Sequence, residues 1–168
     1  MKGGERTVEM QQRMFEAAIS PYAQGLFAFI RCQSPPEPED VYQETMLAAW
    51  QGFERYRHRA GMKTWLYAIA RNKCLDALRR KYRQPPTAPR EAGEDAAGQR
   101  FEQAADERMD LHNALAALRE EDRSLLYLIY AQGFTVQEAA EAMDIPEGTV
   151  KSRLYTLRRR LRERMEGP

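Results

Sequence analysis

Cysteine is almost missing from this 168-residue chain: Cys32 and Cys74 are the only two, too few and too far apart for a disulfide framework or a metal knuckle. With His58 and His112 they make four possible zinc ligands, no two of them close in sequence, so no metal site is expected. Long hydrophobic runs are absent too. The longest, such as Leu125–Ala131, fall far short of the about 20 apolar residues that a spanning helix needs. The N-terminus shows no secretory pattern, and together these absences predict a reduced, soluble, cytoplasmic protein without membrane insertion. Paired carboxylates, a nucleophile–base pair and a glycine-rich phosphate loop are also lacking, which argues against an enzyme and against a cofactor. No stretch carries a clear strand pattern, so the chain is expected to be all-α.

A charge excess of one sign is likewise missing, with 26 Lys and Arg against 25 Asp and Glu. The distribution is less even. Residues 1–83 carry 14 basic and 9 acidic residues, 84–107 carry 2 and 6, and 108–168 carry 10 of each. Seven of the last ten cations lie between Lys151 and Arg164, so the neutral sum hides a polarised C-terminal part. The middle tract holds Pro85, Pro86, Pro89, Gly93 and Gly98 among its carboxylates and reads as a flexible acidic linker. This divides the chain into two small helical domains, 1–83 and 108–168, joined by the linker 84–107.

In the first domain, residues 7–32 predict two helices hinged at Ser20-Pro21, with serine as cap and Met10, Met14, Phe15, Ala18, Tyr22, Leu26, Phe29 and Ile30 on the buried side. After the proline-rich loop 33–38 a third helix should run from Glu39 to about Phe53. Its apolar Val41, Leu47, Ala48 and Trp50 would face inward only in part, leaving Asp40, Gln43, Glu44 and Gln51 on a polar side open to a partner. The segment from Phe53 to Lys63 alternates Arg55, Arg57, His58 and Arg59 with Phe53 and Tyr56 and is expected to be an exposed loop. A helix over roughly Lys63–Tyr82 then buries Leu66, Ile69, Ala70, Cys74, Ala77 and Leu78. Interleaved cations and rings suit single-stranded nucleic acid, whose bases stack while its phosphates meet Lys or Arg; the plainer alternative is that Trp65 and Tyr67 are core.

In the second domain, helices are predicted over 107–118 and about Glu121–Gln132, the latter ending at Gly133 in a left-handed cap. Thr135 and Glu138 have capping-box spacing, opening a helix that carries Val136, Ala139, Ala140 and Met143 on one face. Pro146 breaks it, and a second helix restarts near Glu147. There Val150, Leu154, Leu157 and Leu161 form an inward stripe, while Lys151, Ser152, Tyr155, Thr156 and Arg159 point away, flanked by Arg153 and Arg160. A capped helix, a short turn and a second helix that is apolar inside and cationic, hydroxylated and aromatic outside fit the major groove of DNA. The bland alternative is a solvated basic face closing a helical bundle.

Two separate motifs now agree on a family. The segments PEDVYQETMLAAW and MKTWLYAIARNKCLDALRRK resemble region 2 of bacterial sigma factors, and LAALREEDRSLLYLIYAQGFTVQEAAEAMDIPEGTVKSRLYTLRRRLRE resembles region 4. Their order, with only a linker between them, resembles the extracytoplasmic-function class. The resemblance implies that Asp40, Gln43 and Glu44 dock on the β′ clamp helices of core RNA polymerase. It implies that Phe53, Tyr56, Arg57, Lys63, Trp65, Arg71 and Asn72 open the promoter −10 element and hold a flipped base. Lys151, Ser152, Arg153, Tyr155, Thr156 and Arg159 would read the −35 duplex. It further implies a contact to the polymerase β flap, an anti-sigma partner, and a monomer when free.

Three features depart from the family pattern, the first a compressed and unusually proline-rich loop between the second and third helices. Asp144 stands where glycine is usual in the tight turn, and aspartate is expected to tolerate a left-handed backbone there. Thr156-Leu157 replaces a commoner basic-small pair, implying a distinct −35 preference. The rival readings are a free-standing helix-turn-helix regulator, which would bind duplex DNA without polymerase and leave 53–83 unexplained, and a nucleic-acid-processing enzyme, which would cleave DNA with a divalent metal.

Overall fold

The computed structural model describes residues 2–57, 60–83 and 118–165. The acidic tract 84–107, the expected helix over 107–118 except its final residue, and both histidines lie outside the described residues. The first half contains α1 (Lys2–Ile19), a 3-10 turn (Ser20–Tyr22), α2 (Ala23–Cys32), α3 (Pro38–Phe53) and α4 (Met62–Arg83). The second contains α5 (Glu120–Leu126), which runs into a π-helical turn (Tyr127–Ala131), then α6 (Val136–Met143) and α7 (Glu147–Met165). Among the described residues there is no strand, and no helix is long and apolar enough to cross a membrane.

The hinge between α1 and α2 lies at Ser20-Pro21 as expected, but Ser20 makes no capping bond. The N-cap of the 3-10 turn is Ile19, already in right-handed helical geometry, so the chain never takes the extended conformation that a capping serine needs. Met10 and Met14, expected inside, are 62% and 61% exposed. Further along α1 the Phe15 ring stands edge-on to Trp50 at 5.1 Å and to Phe53 at 5.3 Å.

On α3 the buried row is Val41, Thr45 and Ala49, at four-residue spacing, rather than one through Leu47, which is exposed. Thr45 fits inside because its hydroxyl donates to the Val41 carbonyl at 2.7 Å. Phe53 closes α3 and packs on Phe15 instead of opening an exposed loop. The central element is α4, whose Leu66, Tyr67, Ala70, Cys74 and Ala77 are all buried. Truncating a side chain such as Leu66 to alanine costs about 2–5 kcal/mol. An exposed ion pair such as Arg80–Glu44 contributes at most about 1 kcal/mol. Packing around α4 therefore decides the fold.

In the second half α6 opens with the expected capping box. The Glu138 amide donates to the Thr135 hydroxyl at 3.1 Å, and the Thr135 amide donates to the Glu138 carboxylate at 2.8 Å. Gly133 has φ +66°, the left-handed cap predicted for the preceding helix. Asp144 ends α6 with φ 53° and ψ 48°, so the left-handed position is occupied by aspartate. Val150, Leu154 and Leu157 of α7 are buried, and Leu161 is half-buried.

The two halves pack against each other. Leu26, Phe29, Ile30, Leu66 and Tyr67 from the first belong to the same hydrophobic cluster as Leu125, Leu128, Phe134, Ala139 and Met143 from the second. Phe29 meets Tyr127 with ring centroids 5.6 Å apart, and Tyr67 meets Phe134 at 5.3 Å. Gln33, expected in a surface loop, is buried where the Ser124 hydroxyl donates to its side-chain oxygen at 2.6 Å.

Because Asp144 is in left-handed geometry, Asp144→Val should cost about 1–2 kcal/mol and lower Tm by several degrees. Asp144→Gly should leave Tm unchanged or raise it, and a thermal melt followed by circular dichroism checks both. Burial, with Glu120 adding to it, pushes the Cys74 thiol up to about 12. Cys74 should therefore resist alkylation near neutral pH until denaturant is added, as read by mass spectrometry of the labelled peptide.

Candidate nucleic-acid interface

Helix α7 owes its orientation to its inward stripe. With Val150, Leu154 and Leu157 fixed against the core, helical geometry turns Lys151, Ser152, Tyr155 and Arg159 into solvent. Tyr155 is 70% exposed and unusual for a ring of its size. The Ser152 hydroxyl donates to the Thr149 carbonyl at 3.0 Å and that of Thr156 to the Ser152 carbonyl at 3.1 Å, leaving their oxygen lone pairs facing outward. Lys151 pairs with Glu147 at 3.8 Å and Arg159 with Glu163 at 3.6 Å. Both are solvent-exposed pairs within one helix, worth a few tenths of a kcal/mol, so either cation is readily released to a phosphate. Arg153 is different: it is turned towards α5, where its guanidinium donates to Glu121 at 2.7 Å.

Sequence reasoning missed two cations beside this face, Arg158 and Arg119, and named Arg160 only as a flank. Arg158 donates to the Tyr130 hydroxyl at 2.6 Å and lies over its ring. Arg119 and Arg160 border the same shallow concavity as Ser152, Arg153 and Thr156. The run Arg158–Arg160 was visible as charge, but nothing local in the sequence joins it to Tyr130.

Around α4 the expected −10 residues separate into two groups. Tyr56 and Trp65 lie together, ring centroids 4.9 Å apart and tilted by 33°, with the Tyr56 hydroxyl donating to the Ala60 carbonyl. Trp65 sits against α3 because position 52 is glycine; a Cβ there would come within 3.1 Å of its ring. Arg57 and Asn72 are exposed. Lys63 and Arg71 instead face the second half of the chain. Lys63 donates to the Gln132 carbonyl and lies 4.8 Å over the Phe134 ring. Arg71 is half-buried, its Nε without a hydrogen-bond partner. Burial lowers its pKa, the charges of Glu121 and Asp144 raise it, and that of Arg153 lowers it.

On α3, Asp40 and Gln43 are exposed, whereas Glu44 is half-exposed and bound to Arg80 at 3.1 Å and Lys73 at 3.9 Å. Among the described residues no group of three or more His, Cys, Asp or Glu is placed to hold a metal ion.

Residues 19–84 match the Sigma-70 region 2 family and residues 108–161 the Sigma-70, region 4 family. The chain is 32% identical over 134 residues to the ECF RNA polymerase sigma factor SigM of Mycobacterium tuberculosis, covering 80% of this chain and 67% of that protein. It is 36% identical over 129 residues to SigL of the same organism, covering 75% and 73%. Among solved structures it resembles the sigma factor RpoE of Bartonella quintana, determined in complex with the anti-sigma factor NepR, with a TM-score of 0.71, 25% identity, and coverage of 92% of this chain and 98% of that one. The protein belongs to the extracytoplasmic-function sigma factors of the sigma-70 family, DNA-binding proteins of transcription initiation.

Proposed function

We propose that this sigma factor binds core RNA polymerase through Asp40, Gln43 and Glu44 and directs it to promoters. In this reading α7 reads the −35 duplex while the first half opens the −10 element. The outward row Lys151, Ser152, Tyr155 and Arg159 on α7, behind a capped helix and a tight turn, is the observation that carries it. Cations there meet phosphates, and hydroxyl and aromatic groups reach base edges. The Tyr56–Trp65 pair supports the second role, since two rings, one of them next in sequence to the exposed Arg57, offer a stacking surface for an extruded base. Glu44 spends its carboxylate on Arg80 and Lys73, but exposed pairs of this kind exchange at little cost, so it remains open to a polymerase cation.

An anti-sigma partner is part of the same proposal, supported by the likeness to RpoE in its complex with NepR. The reading also takes the free protein to be a cytoplasmic monomer that performs no catalysis of its own.

Purified core polymerase should start at defined sites on a promoter library only when this protein is added. Start-site profiles identical with and without it would refute the reading. Lys151→Ala should weaken binding of the holoenzyme to its promoter and reduce the slope of log K against log salt by about 1, as expected for one lost phosphate contact. An unchanged slope would remove Lys151 from the contact.

A further inference from the structure

The cations of α7 are held in three different ways. Lys151, Arg153 and Arg159 are paired with the carboxylates of Glu147, Glu121 and Glu163. Arg160 and Arg162 have no hydrogen bond or ion pair among the described residues. Arg158 alone is fixed by an uncharged group. Its Nε donates to the Tyr130 hydroxyl at 2.6 Å, and its guanidinium carbon lies 5.8 Å from the centre of the Tyr130 ring. A carboxylate neutralises an arginine and must be displaced before a phosphate can bind. A phenol steadies the same side chain and leaves its charge whole.

Tyr130 belongs to the π-helical turn, which sends Tyr127 inward to the Gly25 carbonyl and Tyr130 outward to α7. At 58% exposure the Tyr130 ring buries little surface, so the core gives no reason for an aromatic residue there. Arg158 is exposed as well. It follows Lys151 by seven residues and therefore returns to within about 20° of it around the helix, extending the Lys151 edge of the outward row by two turns. Both polar ends of the pair remain available. The arginine spends only its Nε, which leaves its two terminal nitrogens, and the Tyr130 oxygen accepts that bond while keeping its own O–H to donate. Guanidinium N–H and phenol O–H groups thus stand side by side, a donor set that matches the two free oxygens of a phosphodiester.

We infer that Tyr130 and Arg158 form a preorganised clamp for one backbone phosphate of the duplex that α7 occupies, with Tyr130 positioning the guanidinium and adding a second donor. It rests on the proposed reading of duplex DNA by α7. Arg160 and Arg162 lose side-chain freedom when they meet DNA, and Lys151 and Arg159 must first leave their carboxylates. Arg158 is already ordered and still fully charged, so neither cost falls on it at association. A phosphate contact carries no base information. The clamp therefore sets how α7 sits in the groove, and the outward row of Ser152 and Tyr155 keeps the choice of bases.

The test uses holoenzymes assembled from core polymerase and full-length wild type, Arg158→Ala, Arg158→Lys and Tyr130→Phe, titrated with a promoter duplex taken from the library over a range of salt. Arg158→Ala should bind about tenfold more weakly and lower the slope of log K against log salt by about 1. Arg158→Lys should restore the slope but not the affinity, because an ammonium cannot hold the phenol and present a planar fork together. Tyr130→Phe should keep the slope and weaken binding roughly threefold, and the same change should cost less in the Arg158→Ala background, since the guanidinium it positions is gone. Base preference across the library should not move. Both side chains are exposed, so Tm by circular dichroism should stay at the wild-type value in every variant. An unchanged slope in Arg158→Ala, a shifted base preference, equal costs of Tyr130→Phe in the two backgrounds, or losses that track a fall in Tm overturn the clamp. If wild-type protein confers start-site selection while the clamp fails, the sigma reading stands; if it confers none, both fall.

Discussion

Tyr67 is a core residue of the first half whose hydroxyl donates to Gln132 of the second half. A buried phenol without a partner is costly, so the packing of α4 and the position of the π-helical turn depend on each other. Burial raises the Tyr67 pKa, with Tyr127 adding to the effect, so the group stays a neutral donor across the physiological range. Around it Phe29, Phe134 and Tyr127 complete an aromatic patch contributed by both halves. The result is continuous packing between the two parts that the chain's composition marks out.

That arrangement has a consequence for a protein of transcription initiation. The faces proposed for polymerase and for duplex DNA, Asp40 and Gln43 on α3 and the outer row of α7, remain exposed while the halves are joined. The Tyr56–Trp65 pair also lies at the surface end of α4. Only the cations at the boundary, Lys63, Arg71 and Arg153, are withdrawn.

Local chemistry was legible in the sequence wherever a residue's role is decided by its near neighbours. The Thr135–Glu138 capping box, the left-handed Asp144, the Gly133 cap and the Val150–Leu154–Leu157 stripe all follow from spacing within one or two turns. So does the family, because both motifs are contiguous. What failed was decided at a distance. Periodicity marks Met10, Met14 and Leu47 as apolar but cannot say that no helix covers them. Thr45 took a core position because its hydroxyl folds back on Val41, an escape that a hydrophobicity pattern does not register. Lys63 and Arg153 read as free cations because Gln132 and Glu121, which hold them, lie 69 and 32 residues away. A tract of prolines and carboxylates marks a break in composition, yet it carries no information on whether the parts it joins touch.

The central claim, that both halves share one core, is tested most directly by scanning calorimetry of the intact chain. Shared packing through Phe29, Tyr67, Tyr127 and Phe134 predicts a single cooperative transition whose calorimetric and van't Hoff enthalpies agree. Two resolved transitions, each with its own midpoint, would contradict it.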